Sequence, residues 1–301
     1  MKTDTTLFLA DDWDDYDLID SGDGMKCERF GAQTIIRPDP QAYWRPARPV
    51  KDWRADAIFD AKAGDDDRGN WRVLNPRAAD TWPMSWEGLK FNARRTPFRH
   101  LGVFQEHSVH WRFAKSAIQG AGRPVKVLNL FGYTGMMSLA CAQAGAEVVH
   151  LDASPKSNGY GKEHQELSGL SDRSIRWIAD DAVKFVAREQ RRGNRYDAII
   201  LDPPKFGRGT NNETWKFEED LPALLDGVAE LLVDDPLFVI LTAYAVRLSH
   251  IALAQALGDR LRHLGGVMEM GEMAIPQRDS PHLLPTAICA RWRSDAVRIS
   301  S

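Results

Sequence analysis

The second half of the chain alternates short apolar runs with segments whose apolar residues recur at helical spacing. A run such as Ala198–Leu201, bounded by turn residues, is typical of a strand covered on both faces, as in parallel sheets flanked by helices. The pattern predicts strands at 125–131, 146–151, 174–178, 196–202 and 237–242, and helices at 134–144, 155–168, 181–192, about 215–232 and 248–263. This alternation indicates a doubly wound α/β domain.

The end of the chain breaks this alternation. Two further strand candidates, 266–272 and 286–292, have no clear helix between them. We therefore expect these two segments to form an antiparallel hairpin at one edge of the sheet.

The first part of the chain has a different pattern. Residues 1–95 mix short strand-like runs with turn clusters such as Asp20–Gly24 and Arg37–Pro40, and they hold six of the ten tryptophans. This predicts a small β-rich domain over 1–95, with a role in substrate recognition. A helical pattern over 105–118 lies at the start of the α/β domain, which we place at 96–301.

Composition sets limits on the kind of protein. With 301 residues and 43% hydrophobic content, the chain is long enough for one large and one smaller domain. No apolar run reaches about 18 residues, and the N-terminus turns acidic before a signal-peptide core, so we expect a cytoplasmic protein without a membrane segment. The three cysteines form no CxxC pair and the eight histidines no HExxH motif, so no metal site is expected. The oligomeric state stays open.

Charge is distributed unevenly along the chain. Residues 1–24 hold eight acids against one base, whereas residues 90–126 hold eight bases against Glu106 alone. The bases are Lys90, Arg94, Arg95, Arg99, Arg112, Lys115, Arg123 and Lys126, and the aromatic residues between them are Phe91, Phe98, Phe104, Trp111 and Phe113. Bases mixed with aromatics suit a phosphate backbone and unstacked nucleotides. A solvated helix face is an equally good interpretation.

The first strand of the α/β domain passes into a helix through a glycine turn. In Asn129–Gly135 the glycines stand at GxxG spacing, which lets the backbone turn sharply close to a ligand at a helix N-terminus. The dinucleotide fingerprint requires GxGxxG, so pyrophosphate binding is disfavoured.

Acidic residues follow the next strands of the predicted sheet. Asp152 ends the second strand, where a carboxylate can accept both hydroxyls of a ribose, and Asp180 and Asp181 follow the third, where an acid can hold an adenine amino group. Asp202 ends the fourth strand. Helix capping explains any one of these acids alone. Because the carboxyl ends of parallel strands meet at one edge, the acids together predict a common site.

These motifs resemble those of class I S-adenosylmethionine-dependent methyltransferases. Asn129–Gly135 resembles the cofactor loop of that family, and Asp202–Phe206 resembles the motif at the end of its fourth strand. The resemblance is closest to the branch of bacterial 23S ribosomal RNA cytosine-5 methyltransferases. It extends to four other segments, Asp20–Gly24, Glu28–Gly31, His100–Glu106 and Leu284–Trp292.

The resemblance implies a fold, a cofactor, a substrate and a set of site residues. The implied fold is a Rossmann-like, mostly parallel sheet with an antiparallel edge hairpin and a small N-terminal β-rich domain. The implied cofactor is S-adenosyl-L-methionine, and the implied substrate is RNA, with ribosomal RNA favoured. The implied cofactor-binding residues are Asn129, Phe131, Gly132, Tyr133, Thr134, Gly135, Asp152, Ala153, Ser154, Asp180, Asp181, Ala182 and Asp202. The implied catalytic residues are Asp202, Pro203 and Lys205.

The cysteines depart from the pattern of that branch. Cytosine C5 is a poor nucleophile, so such enzymes first add a cysteine thiolate to C6. The resemblance places that cysteine just after the fifth strand, where this chain has no thiol between Ile240 and Val246. Cys141 and Cys289 have the pattern of core residues, and Cys27 lies in the β-rich domain. A covalent route is therefore disfavoured.

A nucleophile with its own lone pair needs no covalent assistance. Asp202-Pro203-Pro204 fixes the backbone, so that carbonyls and the carboxylate can accept hydrogen bonds from an amine or a base edge. Phe206 or Tyr244 can stack on a planar substrate, and Lys205 can meet a phosphate or help to form the turn.

Three other functions stay open at this point. The first is the same chemistry on a protein side chain or a small molecule. The second is a nicotinamide-dependent oxidoreductase, against which the missing third glycine argues. The third is a catalytically silent RNA-binding module with the same fold.

Overall fold

The computed structural model describes residues 1–11, 13–62, 64–210 and 213–297. The last four residues of the predicted 96–301 domain lie outside the described residues. The chain divides into two units. The α/β unit contains Met1–Phe8, Val109–Met273 and the residues from Ala287 onward, and the β-rich unit contains Leu9–Ser108 and Ala274–Thr286.

The described elements include seventeen strands and six α-helices, together with short 3-10 turns. The strands are β1 (Lys2–Leu9), β2 (Tyr16–Gly22), β3 (Met25–Phe30), β4 (Gln33–Pro38), β5 (Ala57–Lys62), β6 (Asp65–Val73), β7 (Thr81–Trp86), β8 (Leu89–Arg94), β9 (Lys126–Leu130), β10 (Glu147–Asp152), β11 (Ile175–Ala179), β12 (Ala198–Leu201), β13 (Phe206–Arg208), β14 (Thr214–Lys216), β15 (Phe238–Ala243), β16 (Val267–Pro276) and β17 (Leu283–Arg293). The helices are α1 (Ser108–Gly120), α2 (Met136–Gln143), α3 (Pro155–Leu167), α4 (Ala182–Arg192), α5 (Phe217–Glu230) and α6 (His250–Leu261). Each strand and helix predicted from residue 125 onward is present, with ends shifted by a few residues.

An eight-stranded sheet organises the α/β unit, in the order β1-β16-β17-β15-β12-β9-β10-β11. The central strands β15, β12, β9, β10 and β11 are parallel to their neighbours in this set. Strand β17 runs antiparallel to β15. The predicted α/β class and mostly parallel sheet are confirmed.

The predicted position of the final hairpin is wrong in one respect. Strands β16 and β17 are present, but β1 lies outside β16 and forms the edge of the sheet. Residues 2–7 are mostly exposed, so their pattern lacks the apolar alternation that marks a strand. Gly271 explains how β1 fits, because a Cβ at that position would overlap the backbone carbonyl of Thr6.

The core of the α/β unit follows from continuous apolar runs. All four residues of β12 and all six of β15 are buried, as expected for strands covered on both faces. Helix α2 is buried from Met136 to Ala142. Side-chain caps begin three of the helices, with Ser154, Asp181 and Ser249 each accepting a hydrogen bond from the first turn. Within the described part of the chain, no helix has the length and apolar character required to span a membrane.

The β-rich unit holds a five-stranded sheet, β2-β3-β4-β5-β6, and the β7–β8 pair. A buried ion network stabilises it, in which the Glu28 carboxylate accepts hydrogen bonds from Arg37 at 2.8 Å and from Tyr16 at 2.8 Å. The division between the units differs from the predicted boundary near residue 95. It falls at Ser108, and residues 1–8 belong to the α/β unit while 274–286 belong to the β-rich unit.

Candidate active site

The sheet register aligns the ends of the central parallel strands. Leu130 of β9 is paired with Leu151 of β10 and with Leu201 of β12, which in turn is paired with Leu241 of β15. The residues that come directly after these four leucines are Phe131, Asp152, Asp202 and Thr242. Neighbouring strands lie about 4.8 Å apart, so one edge of the sheet collects these residues in a single row.

The turn after β9 is held in an uncommon backbone conformation. Phe131, Tyr133 and Gly135 have φ angles of 57°, 51° and 87°. Left-handed conformations at residues other than glycine cost about 1 kcal/mol or more and persist where the surroundings fix them. Here the Gly132 amide donates to the Leu151 carbonyl at 2.9 Å, and the Tyr133 amide donates to Asp152 Oδ2 at 2.8 Å. Strain of this kind concentrates at functional sites.

The glycines of this turn are required by packing. A Cβ at Gly132 would overlap the ring of His150, and a Cβ at Gly135 would lie 2.5 Å from the Trp177 ring. Gly161 of α3 accommodates the same Trp177 ring. The sequence predicted that these glycines let a ligand come close to the backbone. On this side of the turn, side chains from β10 and β11 occupy that space instead.

Two of the predicted cofactor residues are buried supports of the turn. Asn129 is 2% exposed and donates to Ser138 Oγ at 2.9 Å, and that hydroxyl contacts His150 Nδ1 at 2.9 Å. Burial lowers the pKa of His150 to about 3, so this imidazole is neutral. Thr134 is also 2% exposed, and its carbonyl lies 3.2 Å from His164 Nδ1. Asn129 and Thr134 therefore fix the shape of the turn.

Backbone amides hold both carboxylate oxygens of Asp152, the acid that ends β10. Its Oδ2 accepts from the Tyr133 amide at 2.8 Å, and its Oδ1 accepts from the Ser154 amide at 2.8 Å. Burial raises the pKa of Asp152, and the two backbone hydrogen bonds offset part of that rise. Burial, together with the nearby Asp152 charge, raises the pKa of the Tyr133 hydroxyl to about 12. Ala153 is half-buried, and Ser154 caps α3.

The two acids after β11 have local partners. Asp181 Oδ1 caps α4 through the Lys184 amide at 2.9 Å, whereas Asp180 pairs with Arg188 at 2.5 Å. Ala182 is buried in the core. The second oxygen of Asp181 lies 3.1 Å from the point that a Cβ at Gly209 would occupy. Asp181 thus faces the segment after β12.

The Asp202–Lys205 turn is locked on both sides. Thr242 Oγ1 donates to Asp202 Oδ1 at 2.5 Å, and Trp215 Nε1 donates to the Pro204 carbonyl at 2.6 Å. The Trp215 ring packs on Phe131 at 5.1 Å, which ties this turn to the turn after β9. Pro203 is buried and the side chain of Lys205 is exposed.

The residues that follow this turn form a short hairpin that the sequence did not indicate. Strands β13 and β14 pair antiparallel, and the Lys205 carbonyl accepts from the Phe217 amide at 3.0 Å. Phe206 begins this hairpin with its side chain 57% exposed. Tyr244, the other predicted stacking residue, is half-buried just after β15.

Sequence reasoning missed Thr242, Trp215 and Trp177. Thr242 carried a signal, because a hydroxyl residue ends the otherwise apolar segment predicted as a strand at 237–242. Trp215 lies in the segment predicted as a helix at about 215–232. Strands of three residues are too short to show an alternating pattern, so the sequence does not indicate the strand that contains Trp215. Trp177 has the pattern of an ordinary strand residue.

All three thiols are buried. Cys27 is 2% exposed and Cys141 and Cys289 are 0% exposed. Burial raises the pKa of Cys27 and that of Cys141 to about 12, and burial also raises the pKa of Cys289. The structure thus offers no thiolate to act as a nucleophile.

The basic segment 90–126 is mostly structural. Its aromatic residues Phe91, Trp111 and Phe113 are at most 8% exposed, so the nucleotide-stacking interpretation is wrong for these three. Arg95 pairs with Asp80, Arg99 with Asp67 and Arg123 with Asp197. Alternating apolar and basic residues here reflect the half-buried strand β8 and the amphipathic helix α1.

A comparison with protein families gives a match over most of the chain. Residues 32–247 match the family model described as "S-adenosylmethionine-dependent methyltransferase". The matched range contains both turns and every predicted site residue.

Among curated proteins, the chain is similar to ribosomal RNA large subunit methyltransferases. It is 31% identical over 147 residues to methyltransferase K/L of Shewanella frigidimarina, covering 48% of this chain and 20% of that protein. It is 26% identical over 161 residues to methyltransferase K of Neisseria meningitidis serogroup B, covering 53% of this chain and 44% of that protein. The chain therefore spans less than half the length of these relatives.

Among solved structures, the SAM-dependent methyltransferase from Agrobacterium tumefaciens is similar over nearly the whole chain. Identity is 44%, the TM-score is 0.92, and the match covers 97% of this chain and 95% of that one. The structure of SMU.776 complexed with SAH has a TM-score of 0.65 at 17% identity and covers 91% of this chain and 75% of that one. At that identity the likeness concerns the fold alone.

Proposed function

We propose that this chain, which belongs to the S-adenosylmethionine-dependent methyltransferase family, methylates a nitrogen atom of an RNA nucleotide, with ribosomal RNA as the favoured substrate. The observation that carries the proposal is the locked Asp202–Lys205 turn, which lies in the same row of strand ends as Asp152.

The residues of the strand ends fit the cofactor. When bound, S-adenosylmethionine supplies an electrophilic methyl group. Asp152 would hold the ribose, because each carboxylate oxygen accepts one backbone amide and keeps acceptor capacity for a hydroxyl. Asp181 would hold the adenine amino group through Oδ2, since Oδ1 caps α4. The backbone from Phe131 to Gly135 would line the remainder of the site, and Gly135 precedes α2, whose first turn has no side-chain cap.

The Asp202 turn would orient the nucleophile. The Asp202 carboxylate and the carbonyl of Pro203 would accept hydrogen bonds from an amino group, which aligns its lone pair with the methyl group. Thr242 and Trp215 remove the freedom of this turn, and such alignment is the main contribution that a protein makes to an in-line displacement. Lys205 is exposed, which suits contact with a phosphate of the substrate.

The state of the cysteines favours a nitrogen target over cytosine C5. Methylation of cytosine C5 requires a thiolate adduct at C6, and the three thiols are buried with raised pKa values. A nitrogen lone pair needs no such adduct. The chain thus departs from the cytosine-5 branch that its motifs resemble.

The names of the relatives support an RNA substrate. The K/L and K methyltransferases act on large-subunit ribosomal RNA by name. Phe206, with 57% of its side chain exposed beside the Asp202 turn, suits stacking on an unpaired base. We assign substrate recognition to the β-rich unit.

Mass analysis of nucleosides tests the proposal. Ribosomal RNA from a strain lacking this protein should lack one nitrogen-methylated nucleoside, and the wild-type protein should restore it. Asp202→Ala should fail to restore it, whereas Asp172→Ala, at an exposed position away from the site, should succeed. Loss of 5-methylcytosine instead would refute the nitrogen target. An unchanged set of RNA nucleosides would refute the RNA substrate.

A further inference from the structure

An exposed aromatic residue marks the segment between β4 and β5. Tyr43 is 95% exposed, whereas the next most exposed large apolar side chain of the described residues, that of Phe206, is 57% exposed. We call residues 41–54 the Tyr43 loop. Burial does not explain a tyrosine in this position, because the ring contributes almost nothing to the core.

The Tyr43 loop is pinned to the sheet of its own unit. Asp20 accepts hydrogen bonds from the amides of Ala47 and Arg48 at 3.0 Å each and from Trp53 Nε1 at 2.9 Å. A Cβ at Gly22 would overlap Pro46, so the loop lies directly on the backbone of β2. The exposure of Tyr43 is therefore a property of a fixed loop.

A second aromatic ring lies next to Tyr43. Trp44 stacks on His282 with ring centroids 5.3 Å apart and planes 16° apart, and its Nε1 donates to the Ser21 carbonyl at 2.9 Å. These contacts fix the half-exposed Trp44 ring. Trp44 is thus held in place, and Tyr43 precedes it on the same fixed loop with its ring almost fully in solvent.

The Tyr43 loop also carries a row of cations. Arg45, Arg48, Lys51 and Arg54 are spaced three residues apart, and Asp52 is the only acid among residues 41–54. All four basic side chains are exposed. Within the described residues, none of the four side chains forms an ion pair or a hydrogen bond. Their charges are therefore available to a partner.

This combination fits unpaired RNA. Proteins bind single-stranded nucleic acid by stacking aromatic side chains on the bases and by tracking the backbone with cations. Four cationic side chains in a row, with Asp52 as the one acid among residues 41–54, suit the repeated phosphates of a polyanion. We propose that the Tyr43 loop binds unpaired nucleotides of the RNA substrate. This inference rests on the proposed function and adds a recognition surface to it.

Fluorescence anisotropy with fluorescein-labelled oligoadenylate, alone or annealed to oligouridylate, tests this inference without requiring methyl transfer. Tyr43→Ala should weaken binding of the single strand about tenfold or more, since stacking on one base contributes that much. Tyr43→Phe, which keeps the ring, should bind like the wild type. Annealing to oligouridylate should remove the effect of Tyr43→Ala.

A charge-matched pair of variants tests the cations. Arg45→Ala/Arg48→Ala should lower the slope of log affinity against log salt by about 1.4, the value for two phosphate contacts with a single strand. Lys62→Ala/Arg77→Ala removes two exposed charges elsewhere on the same unit and should leave the slope unchanged.

The outcomes separate this inference from the proposed function. If the wild type binds the single strand and the Tyr43 loop variants bind equally well, the loop is not the RNA surface, while the RNA substrate still stands. If the wild type shows no salt-dependent binding to RNA, the inference and the RNA substrate both fail. Equal weakening by the Lys62/Arg77 control would also overturn the inference, because binding would then depend on net charge alone.

Discussion

Two loops of this molecule are each held by an aspartate, and the two aspartates differ in how many hydrogen bonds their carboxylates accept. In the β-rich unit, Asp20 is 2% exposed and accepts five hydrogen bonds, from the amides of Ser21, Ala47 and Arg48 and from the side chains of Trp53 and Gln277. In the α/β unit, Asp152 accepts two, both from backbone amides.

The difference separates structure from ligand binding. A carboxylate has about four acceptor positions, so Asp20 is saturated and Asp152 is not. Asp20 fixes a loop whose side chains face solvent, whereas Asp152 keeps acceptor capacity at the row of strand ends. The saturated acid shapes a surface, and the unsaturated acid is suited to bind a ligand.

Replacing the saturated acid should have the largest effect. Asp20→Ala leaves buried donors without an acceptor, and each such donor costs about 1–3 kcal/mol, so we expect the free energy of unfolding to fall by at least about 3 kcal/mol. Urea denaturation measures this. Asp172→Ala, at an exposed position, is the control and should change it by less than about 0.5 kcal/mol. A loss below about 1 kcal/mol for Asp20→Ala would contradict the structural role.

The turn after β9 should respond to an added methyl group. Gly135→Ala places a Cβ 2.5 Å from Trp177 at a φ of 87°, so we expect a loss of about 2–4 kcal/mol in unfolding free energy. Gly145→Ala is the matched control, because Gly145 has a φ of 103° and open space around it. It should cost about 1–2 kcal/mol, from backbone strain alone. Equal losses would show that Trp177 does not constrain the turn.

Replacing the unsaturated acid should weaken cofactor binding as well as reduce stability. Asp152→Asn keeps the size of the side chain but loses the charge and one acceptor, so we expect S-adenosylmethionine to bind about tenfold or more weakly by calorimetry. The free energy of unfolding should fall by about 1–3 kcal/mol, because the NH2 group of asparagine leaves either the Tyr133 or the Ser154 amide without an acceptor. Unchanged affinity would exclude Asp152 from the cofactor site.

The raised pKa of Asp152 predicts that both stability and cofactor affinity depend on pH. The pKa of Asp152 is raised above 3.8, so ionisation of this group costs stability. Its contribution to the unfolding free energy should fall as the pH rises from the ordinary aspartate pKa through the raised pKa, and should be constant above that. Cofactor affinity should follow the opposite trend and decrease as the pH falls through the raised value. Asp152→Asn should abolish this part of both profiles, and profiles identical to those of the wild type would exclude Asp152 as the titrating group.

The lock on the Asp202 turn should affect the reaction rate. Trp215→Phe removes the hydrogen bond to the Pro204 carbonyl and keeps most of the ring, so we expect kcat to fall about tenfold through loss of alignment. Trp71→Phe removes a comparable bond, from Nε1 to the Thr96 carbonyl, and should leave kcat unchanged. An equal decrease in both variants would indicate a general loss of stability.

The sequence could predict the row of strand ends but not what fixes it. Apolar runs that end on acids place Asp152 and Asp202 at one edge, since register follows from parallel pairing. Trp215 was not predicted, because its contact with Pro204 depends on a hairpin of three-residue strands. The sequence could not predict the Tyr43 loop, because its Trp44 stacks on His282, which is far away in sequence. The sequence could not decide between the two interpretations of the basic segment for the same reason, since Arg99 and Arg123 pair with Asp67 and Asp197, which are also distant in sequence.

The smallest expected effect on stability concerns the surface that Asp20 shapes. Tyr43→Ala should change the free energy of unfolding by less than about 0.5 kcal/mol, because a side chain that is 95% exposed loses almost no burial on truncation. Phe91→Ala, at a residue 1% exposed in the same unit, should cost about 3–5 kcal/mol. Urea denaturation of both variants measures the contrast. A loss of more than about 1 kcal/mol for Tyr43→Ala would show that the ring stabilises the fold, and the argument that its exposure serves binding would then fail.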